Sequence, residues 1–86
     1  MQIDYSSNFK KRIRKLPKST VDKFYMRLEL FEKDRFSPIL NNHKLHGEWE
    51  GSSSINITGN YRAVFKYITK DYILFSDIGT HPELYG

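Results

Sequence analysis

Three histidines, His43, His46 and His81, are the side chains of this sequence whose ordinary pKa lies near neutrality. They are therefore the groups able to take and return a proton in general acid–base chemistry at physiological pH. The chain has no cysteine, so no thiolate can act as nucleophile or metal ligand. Arg62 lies in an alternating run, and arginine suits a phosphate because it stays charged and offers a planar fork of donors. His43-x-x-His46 together with His81 can be drawn as three metal ligands. Gly47 and the flanking Asn41 and Asn42 point to a loop there rather than a helical turn, so neither metal nor any other cofactor is expected. Ser52-Ser53-Ser54 supplies hydroxyls with no base beside them in sequence, which fits a polar loop or the start of a strand. Taken singly, each candidate has a plain alternative. His81 could be an exposed loop histidine, His43 a turn or capping histidine, and Arg62 a surface arginine.

The elements that must carry these residues follow from hydrophobic spacing. Met1 to Tyr5 alternates as a short strand, and Ser6 or Ser7 is placed to cap a helix. Phe9, Ile13 and Leu16 recur at helical steps until Pro17 stops the run. A second helix starts near Lys18–Thr20 with an apolar stripe of Val21, Phe24, Leu28 and Phe31, and Ser37-Pro38 is expected to end it. From Trp49 onward the period changes to two. Ile55 and Ile57 alternate with polar residues, Gly59-Asn60 marks a turn, and Tyr61, Ala63, Phe65 and Tyr67 form the next run. Lys70-Asp71 is a second turn, and Tyr72 to Phe75 suggests a strand buried on both faces. The expected architecture is α+β: an N-terminal strand, a two-helix hairpin and a three-stranded antiparallel meander, with the helices on one face of the sheet. Residues 1–86 are expected to form a single domain.

Composition narrows the partners. The net charge is +4, and residues 1–43 hold ten Lys/Arg against five Asp/Glu, whereas residues 44–86 hold four against five. A basic half of this kind suits a polyanion, although solubility alone would also account for it. Six Tyr, six Phe and one Trp supply rings for a core, and such rings also stack on unpaired bases. The first residues lack the basic-then-apolar pattern of a signal peptide, and no apolar stretch approaches the roughly 20 residues of a membrane span. The lack of cysteine fits a reducing cytoplasm, so a cytoplasmic protein without a membrane partner is expected.

Two stretches are more specific. One runs His43-Lys44-Leu45-His46-Gly47-Glu48-Trp49-Glu50-Gly51 and on to Gly59-Asn60-Tyr61-Arg62-Ala63-Val64-Phe65. The other is Phe75-Ser76-Asp77-Ile78-Gly79-Thr80-His81-Pro82-Glu83-Leu84-Tyr85-Gly86. Together they resemble the RelE/ParE superfamily, most closely its YafQ branch, in which an HxLxGxWxG segment leads into the sheet and the chain closes on GTHxxL followed by an aromatic. The resemblance implies the toxin of a type II toxin–antitoxin pair. It implies a ribosome-dependent, metal-free endoribonuclease that cuts mRNA in the A site. The implied partners are a cognate antitoxin, the ribosome and mRNA, with DNA reached only through the antitoxin.

Metal-free RNA cleavage needs a base for the attacking 2′-hydroxyl, an acid for the leaving 5′-oxygen and positive charge at the phosphate. The resemblance assigns His81 and His43 to proton transfer or substrate orientation, and Arg62 to the scissile phosphate. Tyr85 falls on the closing aromatic, where stacking on a base and anchoring the tail are both open. Lys10, Lys11, Arg14 and Lys15, with Lys18 and Lys44, would grip RNA phosphates or simply face solvent. Where the YafQ pattern carries a histidine and an aspartate in the middle strands, this chain has Asn56 and Asn60. Asparagine exchanges no proton near neutral pH, so that acid/base pair is missing. A ParE-like toxin that binds DNA gyrase without nuclease chemistry is the alternative, as is a degenerate module that only binds antitoxin.

Overall fold

The structure is a computed structural model describing residues 1–86. Strand β1 (Gln2–Tyr5) turns directly into helix α1 (Ser7–Ile13) at Ser6, whose hydroxyl accepts from the Phe9 N–H at 3.0 Å. That bond satisfies one of the free donors of the first helical turn. Helix α2 (Lys18–Lys33) begins just after Pro17 and buries Thr20, Phe24, Leu28 and Phe31. It stops earlier than Ser37-Pro38. Asp34 leaves the helical conformation, and its carboxylate accepts from the Phe36 N–H at 3.2 Å, an Asx turn that competes with the next helical bond. Pro38–Leu40 then forms a separate 3-10 turn.

The sheet has five strands in the order β1-β5-β4-β3-β2. Strands β3 (Ser53–Asn56), β4 (Tyr61–Thr69) and β5 (Tyr72–Thr80) are the expected antiparallel meander. Strand β1 joins the edge and runs parallel to β5, with Gln2 opposite Tyr72 and Tyr5 opposite Phe75. Two elements were not anticipated. Strand β2 (His43–Lys44) pairs with Ser54 and Ser53, and helix α3 (His81–Tyr85) follows β5 without a loop. No helix is long and apolar enough to cross a membrane.

Both long helices supply side chains to one core, in which Phe9, Phe24 and Phe31 meet Phe65 and Phe75 of the sheet. Phe75 and Ile78 both belong to that core, a spacing of three that strict alternation forbids. A register shift resolves it. Val64 pairs with Asp77 and Phe65 with Phe75, so Ser76 is the extra residue of a β-bulge. Beyond the end of β1 the edge of β5 is capped by α1. Ser6 Oγ and Asn8 Nδ2 donate to the Ser76 carbonyl at 3.0 and 3.1 Å, and Arg12 Nε donates to the Ile78 carbonyl at 3.1 Å. Arg12 also pairs with Asp77 at 3.1 Å. Carbonyls that would otherwise offer a template for another strand are thereby occupied.

Candidate active site

The segment His43–Gly51 is shaped by its glycines. Gly47 and Gly51 have φ of +65° and +90°, and they bracket the 3-10 turn Gly47–Trp49. Any other side chain would be strained at either position. The turn presents Trp49 edge-on to Tyr85, with ring centroids 5.9 Å apart. Tyr85 in turn meets His81 at 4.8 Å. The tryptophan of the first motif and the aromatic of the second therefore form a row of edge-to-face contacts that ends on a histidine.

His43 is held by its own loop. Asn41 occupies the left-handed region at φ +46°, which asparagine tolerates better than most residues, and its carbonyl lies 2.8 Å from His43 Nδ1. A carbonyl can only accept, so Nδ1 carries the proton and Nε2 of the neutral ring keeps its lone pair. Arg62 is tethered on one side. Its Nη1 donates to the carbonyls of Thr58, Gly59 and Tyr61 at 3.0, 3.3 and 3.1 Å, while Nε and Nη2 bond to no protein group. The β3–β4 turn is itself pinned by Thr58 Oγ1, which accepts from the N–H groups of Asn60 and Tyr61.

These pieces converge on a depression of about 380 Å³ lined by Asn41, His43, Leu45, Ser54, Arg62, His81 and Tyr85. All four residues picked out for catalysis line it. Two hydroxyls at this depression, Ser54 Oγ and Tyr85 Oη, are buried without a hydrogen-bond partner. Buried polar groups rarely go unpaired, and each such hydroxyl costs about 1–3 kcal/mol. Ser54 is a member of this site that its place in the Ser52-Ser53-Ser54 run does not reveal. Alternation in β3 puts it on the face opposite Ser53 and Ile55, but its neighbours there come from distant segments.

The family model for the bacterial YafQ toxin of type II toxin–antitoxin systems matches residues 1–86. The chain belongs to the YafQ family. Curated proteins give no sequence match. Among solved structures, YafQ from E. coli strain BL21(DE3) is 22% identical, aligns 99% of this chain with 98% of its own, and has a TM-score of 0.72. A chain of the E. coli DinJ–YafQ complex is 23% identical over 99% and 98% at 0.70. The YoeB/ParE toxin from Agrobacterium tumefaciens is 15% identical over 94% and 99% at 0.76. At these identities the likeness establishes the shared fold.

The remaining candidates of this YafQ-family chain lie elsewhere. Asn56 lines a depression against α2, and Asn60 lines another beside the β3–β4 turn, so neither lines the depression that holds His43, Arg62, His81 and Tyr85. Lys44 shares a third with His46 and Glu50, the latter two 3.7 Å apart. Lys10, Lys11, Arg14 and Lys15 are exposed on and just after α1, and Lys18 pairs with Asp22 at 2.9 Å.

In the YafQ fold seen here, His81 owes its place to a capping box. Thr80 N–H and Oγ1 donate to Glu83 Oε1 at 2.7 and 2.9 Å, and Thr80 Oγ1 accepts from the Glu83 N–H. Those bonds hold the Glu83 carboxyl below the ordinary carboxylate range. A lowered folded-state pKa contributes stability above the unfolded value, and that contribution is lost as pH falls through the folded one. Helix α3 is therefore expected to fray in acid, below the usual Glu pKa of about 4.3. The Thr80 amide shift, followed by NMR from pH 6 to 2, should report this, and Glu83→Gln should flatten the titration. A second test concerns space. A Cβ on Gly79 would lie 3.0 Å from an Arg12 guanidinium nitrogen and 3.3 Å from Glu83 Oε1. Gly79→Ala is expected to push the Arg12 and Glu83 side-chain ends aside and to change stability by under about 1 kcal/mol in a urea titration, with the Thr80 amide shift reporting the loosened capping box.

Proposed function

We propose that this YafQ-family toxin is a ribosome-dependent endoribonuclease that cuts mRNA in the A site without metal and so stops translation. The observation that carries this reading is the convergence of His43, Arg62, His81 and Tyr85 on one depression of about 380 Å³. Two proton-transfer groups and one guanidinium with free donors are the set that cleavage by a 2′-hydroxyl requires. His43 Nε2, the lone-pair nitrogen, takes the 2′-proton. The O2′–P bond forms and the P–O5′ bond breaks, with His81 in its protonated state supplying the proton to the leaving oxygen. Nε and Nη2 of Arg62 stabilise the charge on the phosphorane, and the Tyr85 hydroxyl donates to the same group or its ring stacks on a base. The products are a 2′,3′-cyclic phosphate and a 5′-hydroxyl end. Asn56 and Asn60 have no proton-transfer role in this scheme.

The toxin works in the cytoplasm, where mRNA is translated, and Lys10, Lys11, Arg14 and Lys15 contact ribosomal RNA. An antitoxin made beside it silences it, as DinJ accompanies YafQ in the E. coli complex, and DNA is reached only through that antitoxin. Primer extension on mRNA with and without programmed ribosomes tests the reading. Cuts that require ribosomes and carry cyclic-phosphate ends support it. Growth arrest by the wild-type chain with no cuts at all would instead point to a gyrase-binding toxin, checked by a supercoiling assay.

A further inference from the structure

Three depressions follow one another around the β3–β4 turn. The one already described shares His81 with a second of about 380 Å³, lined by Gly59, Asn60, Tyr61, Thr80 and Pro82 as well. The second shares Gly59 with a third of about 420 Å³, which lies between that turn and α2 and is walled by Lys23 and Arg27. No carboxylate lines the second or the third. The three depressions are thus neighbours around the turn, and the one furthest from His43 is walled by two cations.

Lys23 and Arg27 are placed to meet a charge there. They stand four residues apart on α2, one turn above the other, so their charges add on one face. Both are half-buried, and neither pairs with an acidic side chain. The ion pairs of the molecule are Arg12–Asp77, Lys18–Asp22 and His46–Glu50. Arg27 is also oriented, since its Nε donates to the Ile57 carbonyl at 3.3 Å. Partly desolvated cations without a counter-charge, in a concave site, are unfavourable until an anion arrives.

We propose that Lys23 and Arg27 hold a backbone phosphate of the mRNA flanking the scissile one. This inference rests on the nuclease reading above and adds a substrate-binding station to it. The occupant is a phosphodiester rather than an acidic protein segment because the third depression follows the cleavage depression in a row linked by His81 and then Gly59, with no carboxylate in the two beyond the cleavage depression. The station contacts only the backbone, so it positions the strand without selecting sequence.

The test is single-turnover cleavage on ribosomes programmed with mRNAs that carry one neutral methylphosphonate at each phosphate on either side of the cut. At one flanking position the wild type should lose about tenfold or more, the loss expected for a charge-assisted contact. Lys23→Gln/Arg27→Gln should lose a similar factor on unmodified mRNA and nothing further at that position. Lys23→Gln, which keeps the Arg27 bond to Ile57, should show part of the coupling. Lys33→Gln/Lys70→Gln, exposed and outside the three depressions, should behave as wild type. Wild-type cleavage with no position coupled to Lys23 and Arg27 overturns the inference and leaves the nuclease reading standing. A double variant that cuts every mRNA normally but no longer binds antitoxin also overturns it, in favour of an acidic protein segment. A wild type that cuts nothing removes the nuclease reading, and this station with it.

Discussion

Replacing His81 by alanine is expected to slow mRNA cleavage on programmed ribosomes by about 10²–10⁴-fold, the range for losing a general acid or base. The same change should leave the urea midpoint almost unmoved. His81 is exposed as the first residue of α3, and the capping box uses Thr80 and Glu83 rather than its ring. Alanine is also a better helix former than histidine. What the substitution removes is therefore the imidazole and its edge contact with Tyr85. His81→Gln sharpens the test, because glutamine hydrogen-bonds but cannot exchange a proton at neutral pH. If His81→Gln cuts as fast as the wild type, His81 is not the acid. Loss of cleavage together with a lowered urea midpoint would mean that the ring acts by holding α3.

Phe75→Ala is expected to cost about 3–5 kcal/mol, read from the urea midpoint at constant slope. The ring is fully buried and lies within 5.4 to 6.1 Å of five other rings, those of Tyr5, Phe9, Phe24, Phe31 and Phe65. These come from β1, both long helices and β4, so one side chain on β5, between β1 and the central β4, joins both neighbouring strands to the helices packed on them. Domains of this class have only about 5–15 kcal/mol in total, so the variant should sit close to unfolding at 37 °C. Tyr25→Ala is the contrast. Half of that side chain is exposed, and its removal should change stability by under about 0.5 kcal/mol. A Phe75→Ala cost near that of Tyr25→Ala would show that the rings repack around the gap.

Hydrophobic period was enough to place α2 and the meander, because Phe24, Leu28 and Phe31 recur at helical steps and Ala63 and Phe65 at strand steps. It was not enough for β2. Two residues cannot display an alternation, and His43 and Lys44 are strand only because Ser54 and Ser53 lie opposite. Helix α3 did leave a trace. Thr80 followed three residues later by Glu83, with Pro82 between, is a capping-box pattern, but one turn is too short to show a period. The early end of α2 turned on the Asp34 side chain bonding to the Phe36 N–H, a local choice that the following Ser37-Pro38 concealed. Of the site, the residue types were legible and the tethers were not. The Asn41 carbonyl on His43 and the turn carbonyls on Arg62 are backbone groups, which every residue has and no motif records. The free hydroxyl of Ser54 is likewise a property of what packs around it.

The pairing of β1 with β5 has a consequence for how the protein is made. Ser6 bonds to Ser76 across 70 positions of sequence, and the ladder beside it joins Gln2 to Tyr72. A nascent chain still short of Tyr72 has no neighbour for its first strand and no carbonyls for Ser6, Asn8 and Arg12 to cap. The two helices then lack β5, whose Phe75 meets Phe9, Phe24 and Phe31. Closing so long a loop comes before the contacts that reward it, which is expected to make this chain fold more slowly than a helical bundle of the same length. A chain broken off before Tyr72 is therefore expected to lack the β1–β5 ladder and to be open to proteases.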